Sequence, residues 1–130
     1  MAVIFPDIET TLVSYFNTAL PLNGATNVRV GTKKAQPDET QPTKEIVLTV
    51  AYNAEQDYVR KTATLTIEVF ASDYATANTL SLLVESLVRD CVGEEIKFAE
   101  VRIGPVRISE EGPYEKRYLD VALVVKGTNL

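Results

Sequence analysis

The residues able to do chemistry in this 130-residue chain are few and scattered. Histidine is absent, which removes the commonest proton carrier near neutral pH and the commonest neutral metal ligand. It also excludes Ser-His-Asp and Cys-His arrangements within one chain. The single cysteine, Cys91, can neither close an intrachain disulfide nor build a thiolate zinc site. It ends an apolar helical stripe beside Asp90, the setting of a small buried hydrophobe rather than a reactive thiol. Glu94 with Glu95, and Glu110 with Glu111, are adjacent acids without calcium-loop spacing, and such pairs usually decorate turns. Asp38 with Glu39, or Glu68, could be cast as acid and base, but no second feature supports either. Gly31 precedes Lys33 and Lys34 without the glycine-rich frame of a phosphate loop. No catalytic, cofactor or metal constellation emerges, and a non-enzymatic role is the expectation.

Composition points the same way. Thirteen basic against eighteen acidic residues give a net charge of −5, which builds no general attraction to phosphate backbones. Apolar content of 45% with 24% charged residues suits a folded single domain spanning 1–130. No run of apolar residues is long enough to span a bilayer, and the N-terminus lacks an export-signal pattern, so a protein made in the cytoplasm without a membrane partner is expected.

The elements that must position these residues are legible from periodicity. From Arg60 to Phe70 the chain alternates, with Ala63, Leu65, Ile67 and Val69 on one face and Thr62, Thr64, Thr66 and Glu68 on the other. Ser72 and Asp73 then offer acceptors for a helix start, and Ala77, Leu80, Leu83, Val84, Leu87, Val88 and Cys91 form one stripe. An earlier helix carries Phe5, Ile8, Leu12, Tyr15, Phe16 and Leu20 near one side, and Pro21 is expected to stop it. Gly93 is the expected left-handed cap of the second helix.

Further strands are expected at Val28 to Val30, Glu45 to Tyr52, Lys97 to Ser109 and Tyr114 to Gly127, with a bulge at Gly104 and Pro105 where the apolar set changes parity. A polar loop occupies Thr32 to about position 44, at the upper edge of what a compact domain uses without purpose. The sum is an α+β, two-layer domain: a mainly antiparallel sheet of about five strands with two helices packed on one face. The strands at 45–52 and 114–127 carry apolar residues on both sides, and one helical layer covers only one face. The surplus predicts burial against another chain.

The order of elements resembles the tail terminator proteins of long-tailed bacteriophages over nearly the whole chain. The helix from Phe5 to Leu20 resembles that family's opening helix. The segment Thr64 to Val88, with Phe70, Asp73, Ala77 and Leu80, resembles its central strand and helix. Gly104-Pro105-Val106-Arg107 with Glu110 through Val125 resembles its C-terminal hairpin. The resemblance implies a structural virion protein whose subunits close into a ring, a homo-hexamer, at the head-proximal end of the tail. That ring caps the tail tube, ends its polymerisation and offers a docking surface to the head completion or connector protein. Assembly in the host cytoplasm, and passage of the genome DNA through the hole without specific binding, are also implied. Another head-tail connector or a tail tube subunit is the alternative.

For the subunit interface the candidates are Thr64, Thr66 and Glu68 on the wet strand face with Lys33, Lys34, Asp38 and Glu39 in the overlong loop. A ring requires a heterologous contact, and complementary charges could set its register. For tube or head docking the candidates are turn residues: Glu55 and Asp57 in one turn, Glu110, Glu111 and Tyr114 in the other.

Overall fold

A computed structural model describes residues 3–36, 41–56, 60–108 and 114–129, with the backbone alone at 54–56 and 129. The elements run β1 (Val3–Ile4), α1 (Ile8–Leu22), β2 (Arg29–Gly31), β3 (Lys44–Gln56), β4 (Arg60–Ala71), α2 (Tyr74–Arg89), β5 (Ile96–Ile108), β6 (Glu115–Lys126) and β7 (Thr128–Asn129). Five strands form one sheet in the order β2-β3-β4-β6-β5, and β1 pairs with β7 in a separate two-stranded ladder. Only β2 runs parallel to its neighbour; the rest of the large sheet is antiparallel. The fold is thus the expected α+β arrangement, with two helices on one face of a mostly antiparallel five-stranded sheet. Helix α1 lies against β2 and β3, and α2 against β4, β6 and β5.

The alternation in β4 determines which face the helices cover. Leu65, Ile67 and Val69 are fully buried beneath them, together with Ile46, Leu48, Leu119 and Val125 from the neighbouring strands. The matching helical stripes are Ile8, Leu12, Phe16 and Leu20 from α1 and Leu80, Val84 and Val88 from α2. Two long-range hydrogen bonds tie the helical layer together: Thr11 Oγ1 donates to Glu95 Oε2 at 2.6 Å, and Tyr15 Oη donates to the Leu87 carbonyl.

Both helix ends differ from expectation. Pro21 does not stop α1; it lies within the last turn, which runs on to Leu22. Termination comes from a glycine reversal: Gly24 sits at φ +85°, Ala25 N–H donates to the Leu20 carbonyl and Gly24 N–H to the Pro21 carbonyl. That pair of bonds is a Schellman closure, which needs a residue tolerant of the left-handed region. Conversely, Gly93 is not a left-handed cap, since among the described glycines only Gly24 has positive φ. Helix α2 ends earlier, at Arg89, with Asp90 as its cap, and Gly93 N–H donates to the Ile96 carbonyl in the turn that opens β5.

The β1–β7 ladder was not legible in the sequence, where Met1 to Val3 reads only as an arm. It requires close approach: a Cβ built on Gly127 would lie 2.3 Å from Val3 Cγ1. The bulge expected at Gly104 and Pro105 is present as a register shift between Ile103 and Val106, with two further shifts earlier in β5.

Candidate functional site

The helices leave the second face of the sheet without a layer of its own. Alternation and register place Thr62, Thr64, Thr66 and Glu68 of β4 on this outer face, opposite Val124, Ala122, Asp120 and Tyr118 of β6 respectively. Beyond β6, register sets Phe98 against Val124, Ile103 against Asp120 and Val106 against Tyr118, so these β5 residues share the face. Phe98, Ile103 and Val106 are 46%, 41% and 45% exposed, which makes the β5 side an apolar surface rather than an isolated residue. A shallow concavity of about 520 Å³ lies over it, floored by Thr64, Ala122 and Val124 and flanked by Phe98, Ile103 and Arg102.

Two carboxylates interrupt this surface: Glu100, which register sets opposite Ala122 and which meets Arg102 at 3.9 Å, and Asp120. Asp120 accepts a hydrogen bond from Thr66 Oγ1 at 3.1 Å and a short one from Tyr118 Oη. The bond to Asp120 is the main reason the Tyr118 phenol titrates above its ordinary range. At the open end Asn53 Nδ2 donates to Thr62 Oγ1 at 2.6 Å. At the other end Lys116 Nζ meets Glu68 at 2.8 Å.

The opposite margin of the same face, over β3, is covered by the chain itself. Glu45 is 1% exposed and accepts from Arg29, from Lys34 Nζ at 2.7 Å and from the Ala35 N–H at 2.8 Å. Lys34 also stands over the rings of Phe70 and Tyr114, 4.9 and 5.0 Å from their centroids. The start of the polar loop thus folds onto the sheet, with Ala35 itself buried. Periodicity could not reveal this, because the loop is held by one charge on the strand that follows it.

The proposed interface residues therefore differ in setting. Thr64 is exposed; Thr66 and Glu68 are half-buried and engaged with Asp120 and Lys116; Lys33 is exposed. Lys34 is held by Glu45, and Asp38 and Glu39 lie outside the described residues. Of the docking residues, Tyr114 packs on Lys34. Asp57, Glu110 and Glu111 also lie outside the described residues, and Glu55 is described by backbone only. The register separates the two turns: the β3–β4 connection lies where Arg60 meets Lys126, and the β5–β6 connection at the opposite end, where Ile108 meets Lys116. Lys34 at the start of the long loop and Tyr114 just before β6, separate in the sequence, come together.

The strand edges are less open than the face. The far edge of β3, beyond its three-residue pairing with β2, is covered by the start of α1: Val50 N–H donates to Glu9 Oε2, and Tyr52 Oη to the Pro6 carbonyl, each at 2.9 Å. The β5 edge is broken by its register shifts and by Pro105, devices that discourage addition of another strand.

A second polar cluster is complete within the chain. Arg117, 2% exposed, donates from Nε and Nη2 to Asn78 Oδ1 and from Nη1 to Glu115. Arg107 forks onto Glu115 as well, at 3.1 and 2.9 Å, and holds that carboxyl below its usual range. Both guanidiniums stack on Tyr74, so the group fastens the start of α2 to the sheet. Cys91 is half-buried and its thiol is pushed up to about 11, chiefly by burial. Among the described residues no group of three or more Cys, Asp or Glu is placed to hold a metal, and no helix is long and apolar enough to cross a membrane.

Sequence reasoning missed Phe98, Ile103 and Val106 as one patch, and Asp120 within it. The signal for Asp120 was available: it is the one acid in the outward set Tyr118, Asp120, Ala122, Val124 and Lys126. Comparison with protein-family models returns no match to the chain. A search of curated proteins likewise returns no match.

Proposed function

We propose that this chain is a structural assembly subunit, and specifically a tail-terminator-like protein whose copies form a ring that caps a phage tail tube and presents a docking surface to the head. The observation that carries the assembly reading is the outer sheet face, where Phe98, Ile103 and Val106 remain exposed together beside Ala122 and Val124. A partner chain that covers these residues removes apolar area from water, and the shielded strand edges direct association to the face. The terminator reading rests further on the resemblance in element order described above. In this reading the contact is heterologous, with the outer face meeting a different patch on the next copy, and six copies enclose a hole through which DNA passes without being gripped. The ring sits at the head-proximal end of the tail. The two turns at opposite ends of the sheet suit the role, because one can face the tube while the other faces the head.

Negative-stain imaging of preassembled tail tubes with and without the purified protein tests the proposal. Six-fold rings at capped tube ends are expected, with tube growth stopped at substoichiometric protein. Incorporation along the whole tube would assign the chain to tube subunits instead, and neither rings nor capping would overturn the proposal.

A further inference from the structure

The outer face carries an unbalanced charge pattern as well as apolar surface. Arg60 and Lys126 are directly opposite one another across β4 and β6, and both are exposed. Like charges in directly paired positions repel, so the arrangement costs stability in an isolated chain. Among the described residues no carboxylate forms an ion pair with either one. Both side chains belong to the outer face, since Arg60 continues the series Thr62, Thr64, Thr66 and Lys126 continues Val124, Ala122, Asp120. Six positions along β6, roughly 20 Å, separate this cationic pair from Asp120. Among the described residues Asp120 is hydrogen-bonded by the neutral donors Thr66 and Tyr118, while Arg102, which lines the same concavity, pairs with Glu100 at 3.9 Å. Glu68, farther along, already has Lys116.

We infer that two copies of this chain pair face to face about a two-fold axis, with the Asp120 carboxylate of each copy set against Lys126 and Arg60 of the other. Packed sheets lie about 10 Å apart with their strands roughly aligned, and reversal of strand direction between the two copies brings the acidic middle of one β6 over the basic end of the other. The axis then passes between Ala122 and Val124, near Thr62 and Thr64, where short side chains allow the sheets to approach. Phe98 and the concavity beside it are covered in the same contact. Burial of this face removes water from Asp120, and the two-fold arrangement supplies it with cations from the covering copy reciprocally. A two-fold axis placed over Asp120 itself is excluded because it would oppose two carboxylates. This pairing goes beyond the ring reading and does not depend on it: it concerns the free subunit, whose exposed face it hides.

Sedimentation and light scattering of the purified full chain test the inference, with circular dichroism to confirm folding. The expected species is a dimer. Lys126→Glu and Asp120→Lys each weaken it by roughly tenfold or more, and the double reversal restores it, because every interface contains the pair twice. A folded protein that stays monomeric up to high micromolar concentration overturns the inference. So does an oligomer insensitive to both single reversals, or one that the double reversal fails to restore. Ring formation on tail tubes is scored separately by imaging, so failure of the dimer and failure of the terminator reading give different results.

Discussion

The ammonium of Lys34 lies 2.7 Å from Glu45 Oε1, joining a loop residue to a strand residue that is almost wholly removed from solvent. Arg29 and the Ala35 amide complete the shell around the carboxylate. Each of its donors comes from β2 or from the loop that follows, so one acid ties the parallel strand and the base of the loop to the sheet.

Replacement of Glu45 by alanine is expected to destabilise the fold by about 2 kcal/mol, below the usual cost of breaking a buried pair because Arg29 and Lys34 are each about a third exposed. Glu45→Gln should cost less, since an amide oxygen still accepts one bond. Urea denaturation measures both, and hydrogen exchange should show the amides of 29–36 losing protection first. Equal, negligible effects from both variants would contradict the anchoring role.

The two sheet faces should respond oppositely to substitution. Leu65→Ala, within the fully buried set, is expected to cost about 2–5 kcal/mol through lost burial and a residual cavity. Ile103→Ser, on the exposed face, should change the unfolding free energy of the isolated chain by less than about 0.5 kcal/mol while weakening self-association. Chemical denaturation of dilute samples separates the two quantities.

Gly127→Ala should distort the β1–β7 ladder, because the new methyl meets Val3 and the Phe5 ring. A loss of about 1–3 kcal/mol is expected from overpacking. Shortening the neighbour in the pair Gly127→Ala with Val3→Ala should recover part of it. Absence of recovery would place the clash at the Phe5 ring, 3.2 Å from the added Cβ, rather than at Val3.

Thiol reactivity offers a check on burial. Cys91, with its pKa pushed up to about 11, should react slowly with a disulfide reagent at pH 8 and progressively faster as pH approaches 11. Unfolding in guanidinium should restore ordinary thiol rates. A fast native reaction at pH 8 would place the sulfur in solvent.

Both helix starts predict an acid limb to stability. Asp7 and Asp73 accept from Thr10 and Thr76, bonds that hold their carboxyls below the ordinary value of 3.8. A lowered folded-state pKa contributes stability that is fully present above the unfolded value and is lost as pH falls through the folded one. Thermal midpoints should therefore decline below about pH 4, and less steeply in Asp73→Asn, which keeps a capping acceptor without a titrating group.

Several elements could be read directly from consecutive residues. The threonine and aliphatic alternation of β4, the stripe of α2 with its Asp73 cap, and the parity change at Gly104 and Pro105 all reside in short windows, where side-chain spacing mirrors backbone geometry. The Pro21 and Gly93 assignments failed for a related reason. A local rule names residues able to end a helix, whereas the Schellman bonds at Gly24 and the Asp90 cap depend on which carbonyls remain unpaired.

The interface candidates were only partly legible. The wet side of β4 followed from alternation, yet the partners of Thr66, Glu68 and Lys34 lie 54, 48 and 11 positions away, at Asp120, Lys116 and Glu45. No periodicity encodes such pairings.

The amino-acid order by itself determined the order of the two helices and the five main strands, the face that each helix buries and the surplus of apolar residues on the sheet. These are properties of neighbours along the chain, set by burial of alternate or every third and fourth side chain. Tertiary structure alone decided the strand order, the parallel placement of β2, the burial of Glu45 and the meeting of Phe98, Ile103 and Val106 around Asp120. Those depend on inter-strand register, where a shift of one residue would turn every side chain to the other face, and register is selected by the core as a whole.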